Sequence, residues 1–228
     1  MQPLLLLHGA LGAASQFDAL SALLKDRYEV HTLDFSGHGS SIHQPDEYGI
    51  ALFAQDVLDY MDAHELNSIN IFGYSMGGYV ALYLARHFPE RVKSIATLAT
   101  KMHWDEVTAA RETGMLNVDK IIAKVPQLAT ALSERHINEW TGVVHKTAAM
   151  LLKMGADSPL KEADFKALQL PVLLMLGDRD KMVGLEETVA VYNLLPNAQM
   201  AMLPGTPHPF ELVHAGTLAY FIGQMLGA

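Results

Sequence analysis

The chain contains no cysteine, which excludes disulfides and thiolate metal ligation and leaves a reducing compartment open to it. Basic residues are scarce: 16 Lys and Arg stand against 25 Asp and Glu, for a net charge of −9. A surface so poor in cations cannot neutralise a run of phosphates, so nucleic acid is excluded as a partner and anionic membrane surfaces are disfavoured. Charged residues make up only 18% of the 228, whereas half are hydrophobic, so the chain can bury a large core and is not disordered. Long apolar runs are missing too, none approaching the ~18 residues of a membrane-spanning helix. The apolar start at residues 4–7 lacks a basic flank and is interrupted by His8 and Gly9. It reads as a buried strand entering a glycine-rich loop, not as the core of a signal peptide. A cytoplasmic protein with a small-molecule partner is the expectation.

What is present is a rhythm. Residues 4–7, 30–34, 69–74, 92–99, 172–177 and 199–203 read as strands, most of them apolar throughout, as a strand covered on both faces requires. Residues 17–25, 50–64, 78–87 and 185–195 show helical spacing between them. Alternation of this kind predicts an α/β fold, a mostly parallel six-stranded sheet with helices on both faces and chemistry at the carboxyl ends of the strands. The rhythm breaks at residues 101–159, where only helical spacing is found. That stretch is too long for a plain connection, and the expectation is a single domain with a small helical cap inserted over the sheet.

Gly73-Tyr74-Ser75-Met76-Gly77 fits G-x-S-x-G. A chain of this length meets that string by chance about once in ten, so its context decides. It follows the apolar strand at 69–72 and precedes a helix, where a serine sits on a sharp turn with its hydroxyl exposed. Acyl transfer also needs backbone N–H donors aimed at the developing oxyanion. Met76, the residue after the serine, supplies one; Ala10, in the His8-Gly9-Ala10-Leu11-Gly12 loop after the first strand, is the candidate for the other. A third loop, Asp34-Phe35-Ser36-Gly37-His38-Gly39-Ser40, follows the second strand. Its glycines brush against a dinucleotide fingerprint, but Ile42 stands where the third glycine belongs.

These three loops, in this order, resemble the α/β-hydrolase superfamily over nearly all of the chain outside the cap. The first two strands common in that family are absent here, which suggests a minimal, three-layer member. The resemblance makes Asp34 to His38 structural and implies a Ser–acid–His triad in that chain order. After the fifth strand comes Gly177-Asp178-Arg179-Asp180; the family pattern places the acid at Asp180 and leaves Asp178 to brace the turn. The family histidine falls at His208, on a loop stiffened by Pro207 and Pro209, with His214 in the last helix as its rival. His64, His87 and His136 read as surface or cap residues without a role. No histidine belongs to a metal-binding pattern, and the implied chemistry requires no cofactor.

A cap over Ser75 must line the site with something, so Leu11, Met102, Trp104 and Trp140 are candidates for substrate binding, and an uncharged, largely apolar acyl or alcohol group is expected. The implied activity is that of a serine hydrolase on a small ester. Two alternatives stand beside it: carbon–carbon hydrolysis or a lyase step on a small keto-acid, which would need a pocket-facing arginine such as Arg111 or Arg135, and a ligand-binding receptor with little turnover.

Overall fold

The computed structural model describes residues 1–226. Six strands, β1 (Gln2–Leu7), β2 (Tyr28–Leu33), β3 (Ile69–Tyr74), β4 (Val92–Leu98), β5 (Val172–Gly177) and β6 (Ala198–Leu203), form one sheet in the order β2-β1-β3-β4-β5-β6. Every neighbouring pair is parallel. Parallel strands must be joined by crossovers, and these are helical: α1 (Asp18–Leu24), α2 (Ile50–Ala63), α3 (Met76–His87) and α9 (Leu185–Leu194), with α10 (Ala215–Leu226) closing the chain.

The side-chain alternation of a strand sorts the apolar residues between two faces. Leu5, Leu7, Ile71, Ile95 and Leu174 join a core under α2 and α3. Leu4, Leu6, Phe72, Leu98 and Met175 join the opposite core against α1 and α10. The inner strands are buried on both faces, which is why they carry no polar alternation, whereas the edge strands β2 and β6 are only partly covered.

Strand order reverses direction at β1. The chain steps from β1 outward to β2, then returns to place β3 on the other flank of β1. Loops leaving β1 and β3 therefore diverge, and the crevice between them is where an open α/β sheet binds ligands. Both glycine-rich loops, at His8–Gly12 and at Ser75, open there.

Between β4 and β5 run α4 (Glu106–Thr113), α5 (Val118–Lys124), α6 (Pro126–Arg135), α7 (Trp140–Ala156) and α8 (Glu162–Ala167). Here the structure extends the sequence expectation: α8 lies past residue 159 and packs on α3 and α9. Helices α4 and α7 pack on each other, and Val143, Met150, Leu151 and Met154 of α7 are continuous with the core beneath α3. A smaller cluster of Ile121, Leu132 and Val144 lies within the inserted helices, with Leu11 and Trp140 packed against it. Among the described residues no helix is long and apolar enough to cross a membrane.

Candidate active site

Ser75 stands between β3 and α3 with φ 50 and ψ −116, a left-handed conformation costing roughly 1–3 kcal/mol in a non-glycine residue. Surrounding contacts hold it there. The Ser75 N–H donates to Leu98 O at 2.8 Å, and its carbonyl accepts from Thr100 Oγ1 and Gly78 N, both at 3.0 Å. The next turn must pass close to β1, and a Cβ on Gly77 would lie 2.2 Å from the Leu7 carbonyl oxygen. Only glycine fits that approach.

Asp180 and His208 come from the turn after β5 and the loop after β6. Asp180 Oδ1 accepts from Met182 N at 2.8 Å and Val183 N at 2.9 Å, while Oδ2 meets His208 Nδ1 at 2.8 Å. Burial by itself would raise the Asp180 pKa; the hydrogen bond from His208 and the two backbone donors outweigh it and hold the carboxyl below its ordinary value. Its side chain is only 1% exposed and that of His208 13%. Two tethers position the histidine loop: Tyr74 Oη donates to His208 O at 2.8 Å, and Thr206 packs so tightly on Gly177 that a Cβ there would meet its carbonyl oxygen at 2.0 Å. Asp178 does not touch His208; its N–H donates to Leu203 O, and its side chain faces Arg179 at 3.8 Å. His214 precedes α10 instead of lying within it, and its Nδ1 accepts from Thr217 N.

Ser75, Met76, Ala10 and His208 all line one cavity of about 80 Å³. Its remaining walls are mostly apolar: Ile50, Tyr79, Trp104, Leu151, Met154, Met182 and Val183. Of the four side chains the sequence offers for substrate binding, Trp104 alone is part of this wall. Met102 lines a separate, wider groove behind Trp104. Leu11 and Trp140 are drawn away by the apolar cluster of the inserted helices.

Two charged wall residues escaped the sequence reading. Lys101 follows β4, and Glu112 lies on α4; both are buried, and both line the cavity. Lys101 Nζ lies 3.1 Å from Glu187 Oε1 on α9 and 3.6 Å from Glu112 Oε1. A lysine just beyond the carboxyl end of a largely buried strand was the available signal. Its partners lie on two separate helices with no shared periodicity, so nothing in the sequence joined them. Arg111 and Arg135 do not line the cavity. Arg111 is 64% exposed and pairs with Glu112 from outside; Arg135 binds Leu11 O at 2.9 Å and Glu211 Oε1 at 2.7 Å.

The structural loop at Asp34–His38 behaves as such. Asp34 accepts from Ala14 N, Ser40 N and Ser40 Oγ at 2.7–2.8 Å. Burial raises its pKa, but these bonds prevail and keep it below the ordinary value. His136 departs from its reading as a residue without a role: it is buried, Gly39 N donates to its Nδ1 at 2.8 Å, and its Nε2 contacts Leu11 O at 3.2 Å. Three buried imidazoles meet here, with ring centroids 5.2 Å apart for His8–His38 and 5.9 Å for His38–His136. His64 and His87 lie against Tyr60 and Tyr83 on the surface.

Comparison with known proteins agrees with this fold. The alpha/beta hydrolase fold family matches residues 2–119. The chain is 26% identical over 234 residues to a pimeloyl-[acyl-carrier protein] methyl ester esterase of Neisseria meningitidis, covering 94% of this chain and 88% of that protein. A shorter stretch of 101 residues is 36% identical to a serine hydrolase-like protein of Danio rerio, covering 43% of this chain and only 31% of that protein. Among solved structures, a thermophilic esterase from Thermogutta terrifontis superposes with a TM-score of 0.79 at 23% identity, over 100% of this chain and 90% of that one. At that identity the likeness speaks to the fold.

Proposed function

The chain belongs to the alpha/beta-hydrolase family and is a hydrolase, and on that premise we propose that it cleaves a small, largely uncharged carboxylic ester or related acyl compound through a Ser75–His208–Asp180 triad. The observation that carries this reading is the 2.8 Å contact of a buried Asp180 with His208, whose ring shares a small cavity with Ser75. With Nδ1 committed to Asp180, Nε2 is the nitrogen left to take the proton from Ser75 Oγ as it attacks the substrate carbonyl. The oxyanion is received by the N–H groups of Ala10 and Met76, and the positive end of α3 adds to their field. Asp180 stays ionised, fixes the imidazole tautomer and stabilises the imidazolium. Loss of the alcohol leaves an acyl-enzyme, which water hydrolyses with His208 acting again as base. No step calls on a metal or an organic cofactor. A relative named as a methyl ester esterase supports the ester as the bond attacked.

The keto-acid alternative loses support, because neither Arg111 nor Arg135 lines the cavity and the one lysine that does, Lys101, is already paired with Glu187 and Glu112. The deciding experiment is hydrolysis of p-nitrophenyl esters of graded acyl length by the native protein and by Ser75→Ala. The substitution should lower kcat on the order of 10⁴-fold or more while leaving the melting temperature in place. Turnover that persists at the native rate in Ser75→Ala would sink the triad. Binding of an ester without turnover, together with a Ser75 unreactive toward a fluorophosphonate probe, would indicate a receptor.

A further inference from the structure

The mechanism above makes no use of Lys101, yet this lysine is the only cation lining the cavity among the described residues. Burying an ammonium and two carboxylates costs several kcal/mol per ion before their mutual attraction is counted, and well-packed apolar residues often serve stability as well or better. A cluster of this kind beside a reactive serine calls for a reason other than stability.

The contacts show what Lys101 is free to do. Glu187 is already supplied by Gly184 N at 3.0 Å, Met102 N at 3.2 Å and His103 N at 3.3 Å. Glu112 is supplied by Arg111 at 3.0 Å and 3.2 Å. An ammonium carries three protons: the Glu187 bond occupies one, and Glu112 at 3.6 Å lies beyond hydrogen-bond distance, which leaves donor capacity for the cavity. A further polar group of the wall, Tyr79 Oη, is engaged with Ser158 Oγ and Leu160 N, both at 3.0 Å. Two cations, Lys101 and Arg111, balance two carboxylates, Glu112 and Glu187, so the cluster is neutral overall. An incoming carboxylate would meet both glutamates without net attraction, whereas a neutral oxygen would gain a charge-assisted hydrogen bond.

We infer that Lys101 is a specificity residue that donates to a neutral oxygen on the acyl group, so the preferred substrates are oxo- or hydroxy-acyl esters in place of plain alkyl or carboxylate-bearing ones. The inference rests on the serine-hydrolase reading and sharpens it. The test compares three C4 p-nitrophenyl esters, the butyrate, the 3-oxobutyrate and the hemisuccinate, on the native enzyme, on Lys101→Met and on Lys101→Met/Glu112→Gln. The double variant keeps the cluster neutral by leaving Arg111 against Glu187, so it stands in should the single variant fail to fold.

Comparing the ratio of kcat/KM for 3-oxobutyrate over butyrate between native enzyme and variants cancels the intrinsic reactivity of each ester, and that ratio should fall in the variants by about tenfold or more. A ratio that does not move overturns the inference, as does a native preference for the hemisuccinate that the variants lose. Butyrate hydrolysis by Ser75→Ala at the native rate would remove the reading of Ser75 as nucleophile and this inference with it. An unmoved ratio with full dependence on Ser75 removes the inference alone.

Discussion

The sheet rim and the inserted helices meet around the same cavity but are held by different forces. At the rim, each candidate catalytic side chain is fixed by backbone geometry over an apolar core: a strained turn at Ser75, backbone donors on Asp180, and the Tyr74 tether on the His208 loop. The inserted helices reach the rim loops largely through polar contacts. Ile137 N donates to Gly39 O at 2.9 Å, Asn138 Nδ2 to Ser41 O at 2.9 Å and Lys146 Nζ to Pro45 O at 2.7 Å, with Arg135 and His136 both on Leu11 O. Apolar burial is insensitive to protonation, whereas a polar seam responds to pH and to single substitutions. The proposed chemistry therefore falls on the side that resists perturbation, and the proposed selection on the side that does not.

The largest break in this contrast should come from the rim. Asp180→Asn keeps an Oδ1 acceptor for Met182 N and Val183 N, so the turn survives, but the imidazole loses the partner that sets its tautomer. We expect kcat to fall by about 10⁴-fold with little change in melting temperature. A loss of only a few-fold in ester hydrolysis would transfer the acid role elsewhere.

The second prediction concerns pH and the seam. Burial lowers the pKa of His8 to about 4 and that of His136 to about 4, and drives His38 well below its ordinary value. Nearby charges modify this in both directions: Asp34 raises His8 and His136, and Arg135 lowers them. These histidines are neutral in the folded chain, whereas the unfolded chain takes up protons below about 6.5. Their contribution to stability is complete above about 6.5 and is lost as pH falls toward 4. Each contributes a slope of up to about 1.4 kcal/mol per pH unit. The lowered carboxyl groups of Asp34 and Asp180 act in a separate, more acidic window, below the ordinary carboxylate range. Calorimetry should find the melting temperature lower at pH 5 than at pH 7 by on the order of 10 °C. A level profile would mean that the three rings accept protons in place.

The contrast also explains what could be read from the sequence. Strand positions, the serine turn and the order Ser75, Asp180, His208 all rest on local signals: apolar runs, glycines where the backbone passes closely, and a carboxylate at a fixed offset from Gly177. Each is written within a few residues of the feature it produces. The seam is not. His136 looked unremarkable because its partners, Gly39 and Leu11, lie far away in the chain, and the Lys101–Glu112–Glu187 cluster draws on a loop and two helices. Leu11 and Trp140 suited a pocket by residue type, but the cluster of Ile121, Leu132 and Val144 competes for them. Type alone could not say which apolar surface would win.

The smallest predicted effect addresses the seam itself and asks whether it touches catalysis at all. Arg135 of α6 donates through Nη1 to Leu11 O, next to Ala10, the proposed oxyanion donor, and through Nη2 to Glu211, three residues beyond His208. Gln16 Nε2 also binds Glu211 Oε1 at 2.8 Å and, through its own side-chain oxygen, holds Ala13 N at 3.0 Å. One arginine thus links the inserted helices to both loops that must be in register for the oxyanion and the base. Arg135→Met preserves much of the apolar stem and removes both bonds, while His136 still reaches Leu11 O. As a positioning residue, Arg135 should affect kcat by about tenfold with KM nearly constant, once active sites are titrated with a fluorophosphonate. Arg135→Lys should restore part of the rate. A change confined to KM would place its influence on cavity shape instead, and an unchanged kcat would mean that the rim holds its register without help from the helices above it.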